Sequence, residues 1–180
     1  MRSPQSEFFA CFHFSTLHPR LVTSMDAIVK LIHLIAAILW MGGMTFMLFA
    51  LRPAALLILE PQPRARLMGA GWQRFVPVVL AAIVALFITG SNLYTTMFRA
   101  AKLATGAGSV PLGWNLMLVL GVVMMLIFGH IYFAGFKKYK RAVAASEWPV
   151  AAKAAGLIHT MVVVNFVLGW LAIAAVRLVR

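Results

Sequence analysis

Four stretches of more than twenty mostly apolar residues decide what this chain can fold into: 27–51, 75–98, 112–134 and 156–176. A helix rises about 1.5 Å per residue, so roughly 20 such residues cross a hydrocarbon core about 30 Å thick. Charge, proline or glycine bounds the runs: Arg52-Pro53, Arg99 to Lys102, Gly106 to Pro111, and Lys137 to Arg141. None alternates with the period of two that a barrel strand requires. The expectation is an all-α integral membrane four-helix bundle spanning residues 25–180.

Composition supports the same reading. Of 180 residues 63% are hydrophobic and 11% charged, too few charges to cover a soluble surface of this size. The net charge of +12 does not point to nucleic acid, because the basic residues lie in short segments between apolar runs, where lipid head groups meet them. Nine Lys and Arg flank the connections after the first and third spans. Five lie on the other side, or seven with Arg2 and Arg20. The bias places both termini on the non-cytoplasmic side. A lipid bilayer is the expected surrounding, with a membrane-protein partner or a homo-oligomer left open.

Residues 1–24 carry an aromatic patch from Phe8 to Phe14 that is too short to span, with no small-residue cleavage site after it. They read as a tail, with Met25 as an alternative start of the native protein. Cys11, the single cysteine, excludes an internal disulfide. The third and fourth spans continue beyond the hydrocarbon as a long helix 3–helix 4 hairpin turning near Ser146, with Ser146-Glu147-Trp148-Pro149 read as the cap of the returning helix.

Strongly polar groups inside hydrocarbon are functional candidates by default. His130 lies 16 residues before Ser146 and His159 13 after it, so the two differ in height by roughly 4.5 Å in an antiparallel hairpin. Paired imidazoles at one level hold b-type haem or a metal ion in bundles; the competing reading has each ring bonding water or a backbone carbonyl. His33 lies toward the opposite face, at the depth of Thr89, Ser91, Asn92, Tyr94 and Asn115, and is expected to donate to Asn92 or Asn115 as a structural bond or to serve as a ligand. Met41, Met44 and Met47 form one slanting ridge whose thioethers suit Cu(I) and equally suit core packing. Gly42, Gly43, Gly121 and Gly129 permit close helix contact. All four acids, Glu7, Asp26, Glu60 and Glu147, lie outside the spans, and no serine–histidine–carboxylate set or phosphate loop occurs. That speaks against a carboxylate-driven proton pump and gives no catalytic residue.

The run from Lys30 through His33 to Trp40-Met41-Gly42-Gly43, with Leu51-Arg52-Pro53-Ala54 after it, resembles the opening helix of the copper-resistance protein D (CopD) family. The segment Met124 to Phe133 around His130, with the basic 137–141 stretch, resembles its single-domain members, over about residues 25–178. The resemblance implies a four-helix domain of a bacterial-type inner membrane linked to copper handling. It transfers His33, His130 and His159 as candidate cofactor ligands, with His130, His159, Met44 and Met47 as the metal set. The same opening is also similar to the membrane protoporphyrinogen oxidase (HemJ) family, which implies haem. Three functions are expected to compete: copper or haem handling in metal homeostasis, a b-type haem redox protein or electron carrier with a quinone or porphyrin partner, and a cofactor-free structural subunit.

Overall fold

The computed structural model describes residues 4–106 and 108–179, with side chains described from Met25 onward. Every regular element among them is helical. Helix α1 (Pro4–Phe46) passes through a π-helical turn (Met47–Leu51) into α2 (Arg52–Ile58). Helix α3 (Pro61–Thr105) follows a two-residue break. Helix α4 (Leu112–His130) passes through a second π-helical turn (Ile131–Phe136) into α5 (Lys137–Ala144), and α6 (Trp148–Leu178) closes the chain. The backbone of 4–24 belongs to α1; the side chains of that segment, with Cys11, and the reading of residues 1–24 as a separable tail lie outside what is described.

Among the described residues, four helical units are long and apolar enough to cross a membrane: Met25–Ile58, Pro61–Thr105, Leu112–Ala144 and Trp148–Leu178. Their outward faces carry exposed Ile28, Leu31, Ile38, Leu80, Val119 and Leu126. An apolar outside of this kind is stable only against lipid. The chain is a multi-pass membrane protein.

The second unit is longer than its apolar run. With 45 residues α3 extends about 68 Å, more than twice a hydrocarbon core. Its start carries prolines within the first turn, where the missing N–H costs nothing, followed by the strong helix formers Arg64, Ala65, Arg66, Leu67 and Met68. It ends on Gly106 in the left-handed conformation, φ 72°.

The hairpin of the third and fourth spans turns at Ala145–Glu147. Ser146 has φ 58°, the Glu147 amide donates to the Ala142 carbonyl at 2.8 Å, and the Ser146 amide donates to Val143 at 3.2 Å. These two bonds make a Schellman C-cap on α5. The expected serine-type cap on α6 is not what forms: Glu147 occupies the N-cap position without a side-chain bond, and Pro149 sits in the first turn.

Packing proceeds by pairs, α1 on α3 and α4 on α6. One core cluster joins Trp40 and Met44 of α1 to Val79 and Ala82 of α3 and Met124 of α4. A second, nearer the hairpin turn, joins Tyr139 and Ala142 of α5 to Ala151, Ala154 and Ile158 of α6. Close approach between α4 and α6 depends on Gly113, where an added Cβ would collide with the Ala175 and Val179 carbonyl oxygens. Gly42, Gly121 and Gly129 have open space around them instead, so only Gly43, against the Phe75 ring, makes the close contact expected of those four.

Gly113→Ala is therefore expected to destabilise the bundle by about 1–3 kcal/mol, since backbone cannot move aside as a side chain can. Gly121→Ala, on the same helix, is expected to be neutral or slightly stabilising. Thermal unfolding of both variants in detergent checks the contrast.

Candidate functional site

A cavity of about 300 Å³ lies between the two core clusters. Trp40, Met44 and Val79 reach it from the first cluster; Tyr139, Ala151 and Ile158 reach it from the second. All four spans contribute to its wall.

The first π-helical turn is what presents span one to it. Pro53 has no amide hydrogen, and its ring would clash with the Phe49 carbonyl in a regular helix. The wide turn Met47–Leu51 removes that clash just before the proline. It also changes the helical phase. On an ideal α-helix Met44 and Leu56 would point about 120° apart. Here Met44, Leu48, Arg52 and Leu56, spaced by four, all line the cavity, as does Met47. Met44 is 4% exposed, while Met41 turns away to pack its sulfur against Gly169 of α6.

Aromatic rings form two walls. Trp40 meets Phe128 edge-on with centroids 6.4 Å apart. In a second group Trp72 meets Tyr139 at 4.9 Å and Phe136 at 6.4 Å, and Phe136 stacks with Tyr132 at 6.2 Å. The Tyr139 hydroxyl donates to the Ala65 carbonyl at 2.6 Å, tying α5 to α3. Span four supplies Trp148 and the half-buried His159. Arg52 and Arg64, both half-buried, complete the lining, and it contains no Asp or Glu.

His159, Met44 and Met47 thus line one cavity. His130 is exposed and does not line this cavity. Its neighbours Phe128 and Tyr132 do, and a residue two positions from each on a helix points about 200° away. Height along the hairpin is compatible with a histidine pair, but only His159 of the two lines the cavity. Among the described residues no three His, Cys, Asp or Glu side chains cluster as a metal group.

His33 lies outside the cavity, half-buried between α1 and α3. Its partner is Thr89, rather than Asn92 or Asn115: Nδ1 lies 2.8 Å from the Thr89 hydroxyl oxygen. That hydroxyl donates its own proton to the Ala85 carbonyl at 2.6 Å, an arrangement that suits Nδ1–H as the donor to it. Asn115 is engaged elsewhere, accepting from the Tyr94 hydroxyl at 2.7 Å. The polar cluster expected at this depth is therefore two separate bonded pairs.

Three features escaped the sequence reading. Sequence alone reads Arg52 and Arg64 as topology determinants, although Arg52 directly ends an apolar run ahead of a proline. Tyr139 sat unnoticed among lysines. Asn165 is 1% exposed in the middle of α6; its amide nitrogen donates to the Met124 carbonyl at 3.3 Å, while its side-chain oxygen has no partner. The rule that drew attention to His33 applies equally to an asparagine six residues beyond His159.

No family model, curated protein or solved structure matches this chain.

Removing the acceptor of His33 gives a direct test of the α1–α3 bond. Thr89→Val is expected to lower stability in detergent by about 1 kcal/mol, the usual scale for a polar bond between membrane helices. Asn92→Val, at a position with no side-chain bond to His33, is expected to change it less; equal losses would show that the His33–Thr89 bond carries no special weight.

Proposed function

We propose that this chain is a CopD-like inner-membrane protein that handles copper(I) or haem in its intramembrane cavity, in the service of metal homeostasis. One observation carries the reading: an imidazole from span four, His159, and two thioethers from span one, Met44 and Met47, line the same cavity. Imidazole and thioether are donors that suit Cu(I), and the absence of any carboxylate from the lining disfavours the hard cations. His159 is the imidazole on which the site rests, since His130 faces outward. His33, bonded through Nδ1 to Thr89, stands as a separate candidate outside the cavity.

The haem reading has its own support. A cavity of about 300 Å³ walled by aromatic rings is more than one ion needs and falls at the small end of organic-ligand sites. Were haem bound there, His159 would be the residue to hold it, and the haem would supply the one-electron chemistry of a b-type redox protein or electron carrier. The bias of lysine and arginine supports an orientation with the cavity end toward the cytoplasm and both termini away from it.

Protein purified from cells supplied with both copper and haem tests this. The expectation is one copper per chain without a Soret band, lost in His159→Ala and at least about tenfold weaker in Met44→Leu with Met47→Leu. A Soret band lost in His159→Ala would move the assignment to haem. A metal-free, colourless preparation would leave the structural-subunit reading.

A further inference from the structure

Two cations stand in the cavity wall without an anion. Arg52 and Arg64 flank the break between α2 and α3, both half-buried and both lining the cavity. The acids with described side chains are Asp26, Glu60 and Glu147; none lines the cavity, and Glu60 and Glu147 are exposed. Among the described residues neither guanidinium forms an ion pair. Arg66 and Arg74 on the same helix as Arg64 are exposed, as topology-setting residues ordinarily are. Arg52 and Arg64 therefore depart from the pattern that explains the other basic residues.

Partly burying a charge beside apolar walls is costly unless a counter-charge arrives. The guanidinium fork matches the oxygens of a carboxylate or phosphate, and two such forks line this one cavity. The remaining wall is apolar and aromatic, from Trp72 and Phe136 to Trp40 and Phe128. A bilayer supplies molecules built in the same two parts. We propose that the cavity takes a membrane-borne anionic amphiphile, its carboxylate or phosphate held by Arg52 and Arg64 and its apolar body lying among the aromatic rings. This goes beyond the metal reading and requires neither His159 nor the thioethers.

Trp40, Trp72 and Trp148 line the cavity and serve as reporters. Chelator-treated, metal-free protein in detergent is titrated with dibromostearate, whose bromines quench tryptophan, and with its uncharged methyl ester. The acid is expected to quench saturably, with an apparent Kd at least about tenfold below that of the ester, the scale of a charge-assisted contact. Arg52→Gln with Arg64→Gln brings the acid to the level of the ester, the corresponding lysine pair retains part of the difference, and Arg66→Gln with Arg74→Gln leaves it intact. Brominated phosphatidylglycerol against brominated phosphatidylcholine in vesicles then separates the sources: preference for the anionic lipid identifies a phospholipid, preference for the free acid alone a fatty acid. Equal quenching by acid and ester together with equal quenching by the two lipids overturns the proposal, as does a difference that survives in the glutamine pair. Should that pair fail to fold, as read by circular dichroism, the wild-type comparison and the lysine pair still decide. Because the readout uses metal-free protein, its failure leaves copper or haem loading to be judged separately, and the reverse holds.

Discussion

A backbone amide that leaves its helix inside hydrocarbon has no water to bond, so departures from regular helix within a span need a local remedy. Pro53 deletes one amide and would clash with the carbonyl four residues before it. The remedy is the π-helical turn Met47–Leu51, which widens the helix and keeps the chain helical into α2. That single adjustment changes which side chains face inward over the next two turns. It lets Met44, Met47 and Arg52 share one cavity wall. The second π-helical turn, Ile131–Phe136, stands in the same wall on span three, so both wide turns border the space between the two core clusters.

Polar side chains in the spans obey the same accounting with different success. The His33 imidazole, the Thr89 hydroxyl and the Ala85 carbonyl form a chain in which each proton has an acceptor. Tyr94 and Asn115 satisfy each other between α3 and α4. Asn165 is half satisfied: it bridges α6 to the Met124 carbonyl and leaves its oxygen unpaired at a fully buried position. Mid-span polar bonds of this sort fix which helices face each other, which apolar packing among similar leucines and valines does poorly.

The spans, the long hairpin and its turn at Ser146 were legible because hydropathy and chain punctuation report on length and depth. Direction around a helix axis was not legible in the same way. Depth placed His130 near His159; azimuth puts Phe128 and Tyr132 on the cavity and His130 on the outside. A π-helical turn worsens the problem, because it breaks the fixed phase on which face-counting depends. Met44 and Leu56 would be assigned to different faces by any reading that assumes 3.6 residues per turn. Charge was misleading for a related reason. Arg52, Arg64, Arg66 and Arg74 look alike in a count of loop cations, and only the packing of α2, α3 and α6 separates the half-buried pair from the exposed one.

That separation bears on what kind of chemistry the cavity supports. A bundle built only to fill space would close the gap between its cores with leucine and phenylalanine, since each buried methylene is worth close to 1 kcal/mol against water and an isolated charge costs several times that. This bundle instead places two guanidiniums, an imidazole and three thioethers in the gap, among aromatic rings and aliphatic side chains. The aromatic contacts hold the walls apart: Tyr139 cannot swing into the space without giving up its bond to the Ala65 carbonyl, and Trp72 is held against Tyr139 and Phe136. Polar groups kept at the edge of an apolar space, on walls fixed by hydrogen bonding and ring packing, form an arrangement in which an incoming ligand finds its partners already in place, which limits the ordering cost of binding.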